Sequence, residues 1–158
     1  MTEGQIEAVL AASAGRRLIG VGSLGGLGAI MLYMAVALSP GPGWQAFQVV
    51  LGLAALWCAH RMWRATAERL ELTAEGLRSS DGRILAPMEE IVTVDRGMFA
   101  FKPSNGFTIT MRSKGRFAWE PGLWWRIGRR IGVGGVTPGT PARYMAGAIQ
   151  ERIAARAG

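Results

Sequence analysis

One histidine and one cysteine are all this chain offers to imidazole or thiol chemistry. A lone cysteine, Cys58, cannot close an intramolecular disulfide, and it lies in an apolar stretch where a thiol behaves as a small buried hydrophobe. A lone histidine, His60, without a cysteine cluster assembles no ordinary zinc site. No serine sits in a nucleophile-elbow context. Glu89 and Glu90 are neighbours, so on a strand they face opposite ways and make no acid/base pair. Asp95 beside Arg96 reads as turn polarity. Acids are also scarce, 11 against 18 bases, for a net charge of +7. These shortages leave no catalytic residues, no cofactor and no metal to assign, and no small-molecule substrate is expected.

Charge is absent altogether from two long apolar runs, Leu18–Leu38 and Trp44 to Cys58, the second continuing through His60 and Arg61 to Trp63. About 20 helical residues cross the ~30 Å hydrocarbon core of a bilayer, so each run is long enough to span. A signal peptide is not expected, because the first run is too long and its leader holds Glu3 and Glu7. Ser39-Pro40-Gly41-Pro42-Gly43 allows only a tight reversal, since proline stops a helix at or before its predecessor. The runs are therefore read as an antiparallel transmembrane hairpin over residues 18–64, with spans 18–38 and 44–63. Arg16, Arg17, Arg61 and Arg64 flank its open end. The positive-inside rule puts both termini in the cytoplasm of a bacterial inner membrane. Trp44, Trp57 and Trp63 are candidate interface anchors.

Small residues mark the first span. Gly22, Gly25, Gly26 and Ala29 carry the small-xxx-small spacing that lets helix backbones approach closely. Their partner is either the chain's own second span, through Gly52, Ala54, Ala55 and Ala59, or a foreign or self-associating helix. Gly20-Val21-Gly22-Ser23-Leu24-Gly25 matches the dinucleotide fingerprint. That motif requires a strand before it and an exposed helix N-terminus, and an apolar helix offers neither. Residues 1–17 form a cytoplasmic segment, and alanines with Ile6, Val9 and Leu10 on one face suggest a short helix over 2–15.

After Arg64 the pattern shifts to short alternating runs. Strands are expected around Leu70–Thr73, Gly76–Arg78, Arg83–Leu85, Ile91–Val94, Met98–Phe101, Phe107–Met111 and Arg116–Trp119. Asp81-Gly82 and Asn105-Gly106 are hairpin turns. A closing helix begins with Thr140 as N-cap and Pro141 at its first position. Its apolar face would hold Tyr144, Met145, Ala148, Ile149 and Ile153, with Arg152 and Arg156 near its end.

The segment from Leu70-Glu71-Leu72-Thr73-Ala74-Glu75-Gly76-Leu77-Arg78 through Asp81-Gly82-Arg83-Ile84-Leu85-Ala86-Pro87-Met88-Glu89-Glu90-Ile91 resembles the opening of bacterial pleckstrin-homology-like (PH-like) domains tethered to membrane hairpins. Met88 stands where many of them carry tryptophan. The resemblance implies a fold class: an α+β domain over 65–158, an antiparallel β-sandwich or barrel closed by a C-terminal helix. It implies no particular ligand.

The last unusual stretch is basic and aromatic. Trp119, Trp124 and Trp125 lie beside Arg126, Arg129 and Arg130, with Arg112, Lys114 and Arg116 close by. Tryptophan favours the head-group layer and arginine the anionic lipid surface. One reading makes Arg112, Lys114, Arg116, Trp124, Trp125, Arg126, Arg129 and Arg130 a surface for membrane lipids or a protein partner. Another makes the stretch a final hairpin with Trp119, Trp125, Ile127, Ile131 and Val133 in the core. The function expected is non-enzymatic: an accessory subunit of a membrane protein complex, or a homo-oligomer. The alternative is an adaptor binding anionic lipid. No nucleic-acid motif is present beyond charge.

Overall fold

Alternation of apolar and polar residues builds two antiparallel sheets, and the long apolar runs build two helices between the first strands. A computed structural model describes residues 5–38, 41–96 and 105–158. Strand β1 (Ala8–Ala11) leads directly into α1 (Ala14–Ala37), which reverses into α2 (Pro42–Ala65). There follow β2 (Arg69–Thr73), β3 (Gly76–Ser79), β4 (Ile84–Pro87), a 3-10 turn at Met88–Glu90 and β5 (Ile91–Asp95). Then come β6 (Phe107–Met111), β7 (Ala118–Glu120), β8 (Trp124–Ile127), β9 (Arg130–Val133) and α3 (Gly139–Ala157). One sheet runs β1-β2-β3-β4 and the other β5-β6-β9-β8-β7.

The amino-terminal helix expected over 2–15 is a strand instead. Ala8 and Leu10 point into the core at 8% and 0% exposure while Val9 points out. Ala8 to Ala11 pair in antiparallel register with Leu72 to Arg69. Alanine's helix propensity is a weak prior, and the open edge of β2 overrides it. The helical hairpin is thus inserted between the first two strands of the sheet. Ala11 and Arg69 are cross-strand partners, so the two helices leave the sheet from neighbouring points. The Ser13 N–H donates to the Val136 carbonyl and Arg16 to the Thr137 carbonyl, tying the start of α1 to the connection between β9 and α3.

Both helices pack against each other antiparallel, with Gly20 beside Met62 and Gly28 beside Gly52. A Cβ built on Gly28 would stand 2.7 Å from Leu56 Cγ and 2.8 Å from the Gly52 carbonyl oxygen. At the turn, Gln45 donates to the Ala35 carbonyl at 2.9 Å, satisfying one of the acceptors a helix end leaves open.

Between the sheets lies a core of Leu10, Leu70, Leu72, Leu77, Ile91, Phe107, Ile109, Met111, Leu123, Ile131 and Val133. α3 closes one side of it with Ala142, Met145, Ala146 and Ile149, whereas Tyr144 is turned outward at 62% exposure. The helix begins at Gly139 with Pro138 as its N-cap, earlier than Thr140 suggested. Its arginines act as clamps. Arg152 reaches Glu7 and donates to the Thr73 carbonyl, and Arg156 donates to the carbonyls of Met88 and Ile91. The helix therefore grips both sheets. The turn at Asp81-Gly82 forms as expected, with Gly82 at φ 89°, and Asn105 takes φ 57° in the second turn. The strand expected at Met98–Phe101 falls outside the described residues.

Candidate functional site

Strand parity decides what the basic aromatic stretch does. β8 and β9 form a hairpin in which Trp124 pairs with Val133 and Ile127 with Arg130. Trp124 faces the core at 4% exposure, and Arg126, two residues on, projects from the same face. Trp125 and Ile127 project from the other. Of the five apolar residues expected in the core, Ile131 and Val133 are buried, while Trp119 and Ile127 are 38% and 60% exposed and Trp125 is half-buried. Trp125 covers Gly132 across the strand pair, where no Cβ would fit.

The exposed bases divide by position. Arg112, Lys114, Arg129 and Arg130 gather around one sheet end, where the Gly115 N–H donates to the Gly128 carbonyl and the Met111 N–H to the Arg129 carbonyl. The helices meet the domain at the other end. There Gly122, in the β7–β8 turn, packs against Met62 and Thr66 of the α2 terminus. Four residues of strand, about 13 Å at ~3.3 Å each, separate the two ends.

Where α2 joins the domain, a cavity of about 290 Å³ is lined by Arg61, Arg64, Ala65, Glu68, Arg83 and Glu120. Arg61 donates to the Trp119 carbonyl at 2.8 Å and stands 3.6 Å from Glu120. Arg83 lies 2.7 Å from Asp81, 3.7 Å from Glu68 and 3.9 Å from Glu120. The Arg83 backbone N–H, bonded to the Asp81 carboxylate, holds that carboxyl below its usual range, with its guanidinium adding to the effect. In return the Asp81 hydrogen bond raises the Arg83 pKa. Arg64 has no ion-pair partner among the described residues. Aromatic rings surround this junction. The Arg17 guanidinium stacks 4.0 Å over Trp63, and Trp57 lies 6.4 Å from Trp119.

A second, larger cleft of about 530 Å³ opens between β4 and the β7–β8 edge, lined by Arg83, Ile84, Leu85, Arg116, Ala118, Trp124 and Arg126. Arg126 donates to the Leu85 carbonyl at 3.3 Å across it. Arg83 lines both cavities.

The small residues of α1 separate onto two faces. Gly20, Gly28 and Ala35 face α2, and from α2 they meet Gly52, Ala55, Ala59 and Met62, all buried; Ala54 is exposed. The expected packing residues, Gly22, Gly25 and Gly26, would each accept a Cβ with nothing within 4 Å, and Ala29 is exposed. They do not form the internal contact. Large apolar side chains are exposed along both helices, among them Leu18, Ile30, Tyr33 and Val36 on α1 and Trp44, Phe47, Val50 and Leu53 on α2.

Among the described residues, only α1 is both long and apolar enough to cross a membrane, with mean hydropathy 1.8 in its best window. α2 matches it in length, at 24 residues, but glutamine, tryptophan and histidine dilute its apolarity. No group of three or more His, Cys, Asp or Glu suited to a metal ion occurs among the described residues. Glu90 is engaged by Ser113 through both its backbone and hydroxyl. Comparisons with protein families, with curated proteins and with solved structures give no match. The junction residues Arg61, Arg64, Arg83 and Glu120 were not legible as a group, because three separate chain segments, α2, the β3–β4 turn and β7, bring them together.

Proposed function

We propose that this chain is a non-enzymatic accessory, assembly or scaffold subunit of a bacterial inner-membrane complex. In this reading both helices cross the membrane and the domain, on a PH-like plan, caps the cytoplasmic side. The observation that carries it is the uncovered small-residue face of α1: Gly22, Gly25 and Gly26 meet nothing, while Gly20 and Gly28 already complete the hairpin. A face of that composition suits close approach by a further transmembrane helix, either of another protein or of a second copy.

Exposure along the hairpin supports its placement in lipid. Only 11% of the apolar window of α1 is buried, unlike the core helix of a water-soluble fold. Of the two glutamines of α2, Gln48 is 3% exposed and Gln45 donates to the Ala35 carbonyl of α1, while Trp44, Phe47, Val50 and Leu53 stay outside. Soluble proteins rarely expose contiguous apolar surface on this scale. Cleavage after α1 would also remove β1, which completes the first sheet.

Gly22→Leu with Gly26→Leu tests the reading. The variant is expected to insert and fold as the native chain does, but to lose co-migration with its complex in native gels after mild-detergent extraction. Unchanged migration overturns the proposal. Gly28→Leu, which collides with the Gly52 carbonyl, serves as the control for a broken hairpin.

Lipid contact is the second reading, favoured by the arginines at the junction rather than those of the far sheet end. Arg17, Arg61 and Arg64 stand where α1 and α2 enter the domain, the level at which a spanning hairpin meets the head groups.

A further inference from the structure

We infer that the cleft between β4 and the β7–β8 edge binds the phosphate-bearing head group of an anionic phospholipid. This rests on the hairpin crossing the membrane, and it concerns a site separate from the uncovered face of α1.

The cleft wall is rich in donors and poor in acceptors. Arg83, Arg116 and Arg126 line it, and no acidic side chain does. Arg83 is neutralised from outside the cleft by Asp81 and, more distantly, Glu68 and Glu120. Arg116 has no partner among the described residues, and Arg126 meets only one carbonyl, that of Leu85. Two further donors are buried with no protein acceptor among the described residues: the Arg126 Nε–H and the indole Nε1–H of Trp124, a residue only 4% exposed. A buried donor without an acceptor is destabilising. The chemistry that relieves this is an oxygen-rich anion, and guanidinium groups take phosphate in paired hydrogen bonds. Arg126 lies directly over Gly115, where a Cβ would meet its guanidinium. The absence of a side chain at Gly115 thus leaves the place that the guanidinium occupies in the cleft wall.

Size and walls favour a ligand larger than a bare inorganic ion. A space of about 530 Å³ has room for a head group and its glycerol, and Ile84, Leu85, Ala118 and Trp124 supply apolar contact for the ester region. Position selects the lipid source. Arg83 lines both the cleft and the cavity at the foot of α2, where Arg64 has no ion-pair partner among the described residues. The rings of Trp57, Trp63 and Trp119 mark the same level. An extended acidic peptide fits less well, because the flanking edge strands are short: β4 has 4 residues and ends in Pro87, and β7 has 3.

The experiment is native mass spectrometry of the full chain in mild-detergent micelles doped equally with phosphatidylglycerol and phosphatidylcholine. The native chain is expected to retain phosphatidylglycerol in preference. Arg116→Gln is expected to cut that preference about tenfold, the effect of one charge-assisted hydrogen bond. Arg116 is exposed and bonds nothing described, so its replacement leaves the fold intact. Arg129→Gln with Arg130→Gln, at the far sheet end, is expected to change nothing. Equal retention of the two lipids, or an unchanged preference in Arg116→Gln, overturns the inference. So does full displacement by millimolar glycerol 3-phosphate, which would mark a site for soluble phosphate esters, or by an acidic peptide. Extraction of the native membranes with alkaline carbonate separates the two failures. Release of the chain removes the membrane reading itself, whereas a chain that stays embedded yet shows no lipid preference removes only the cleft assignment.

Discussion

Asp81 joins a turn to an ion pair with one side chain. It accepts from the Arg83 backbone N–H at 3.0 Å and from the Arg83 Nε at 2.7 Å. Both bonds favour the carboxylate, so the folded-state pKa lies below the ordinary 3.8. A carboxyl depressed on folding adds stability that is fully present above the unfolded value and lost as pH falls through the folded one. Asp81→Asn is therefore expected to lower the Tm near neutral pH and to narrow the gap to the native chain below about pH 4. The pair is largely solvated, so the neutral-pH difference should be small, about 1–3 °C. Melting curves between pH 3 and pH 7 check it; a constant offset across that range counts against it. At the same scale, Trp124 and Trp125 show what local pattern leaves open. Adjacent tryptophans on a strand must face opposite ways, and nothing in their own chemistry says which goes inside. The pairing of Trp124 with Val133 decides it.

Among the elements, β1 matters most. Four residues, Ala8–Ala11, supply the edge of the first sheet and one fully buried leucine. Because the hairpin is inserted after β1, a fragment beginning at residue 65 lacks that strand and exposes the edge of β2. Leu10→Ala is expected to destabilise the full chain by about 2–5 kcal/mol through lost transfer energy and an unfilled cavity. Thermal unfolding in detergent measures it, and a change near zero would mean that β1 is not packed as described. Most other strands were readable, since period-two alternation and the turns at Asp81-Gly82 and Asn105-Gly106 are local signals. β1 was hidden because its partner stands some 60 residues away in sequence, at Arg69–Leu72. The internal seam of α1 was half hidden. Glycines are plentiful on that helix, and only contact with Gly52 and Met62 singles out Gly28 and Gly20 from Gly22 and Gly26.

For the whole molecule, the pairing of β1 with β2 constrains topology independently of charge. The two strands bracket the hairpin, so a spanning hairpin must bring both of its open ends to one side. On the proposed membrane reading, with the basic flanks inside, single cysteines at Gln5 and Gly158, in a background with Cys58 replaced by alanine, are expected to react with an impermeant maleimide only after the inner face of the membrane is exposed. Labelling of either from the outer face would overturn the orientation. The same pairing makes hairpin and domain mechanically continuous. Only Ala12 and Ser13 join β1 to α1, and Arg61, Gly122 and Val136 pack across the junction.

By itself the amino-acid sequence determined the two long helices, the reversal between them, most of the described strands, the hairpin turn at Asp81-Gly82 and the closing helix. These follow from periodicity, from proline and from glycine, which act over a few residues. Tertiary structure alone decided that the hairpin is inserted within a sheet, that Trp124 is core and Trp125 surface, and that Gly22 and Gly26 face away from α2. It also gathered Arg61, Arg83, Arg116 and Arg126 along two cavities that share Arg83. Each of those outcomes depends on which distant strand or helix supplies the facing surface. That information lies in long-range pairing and packing, which no local window of the chain contains.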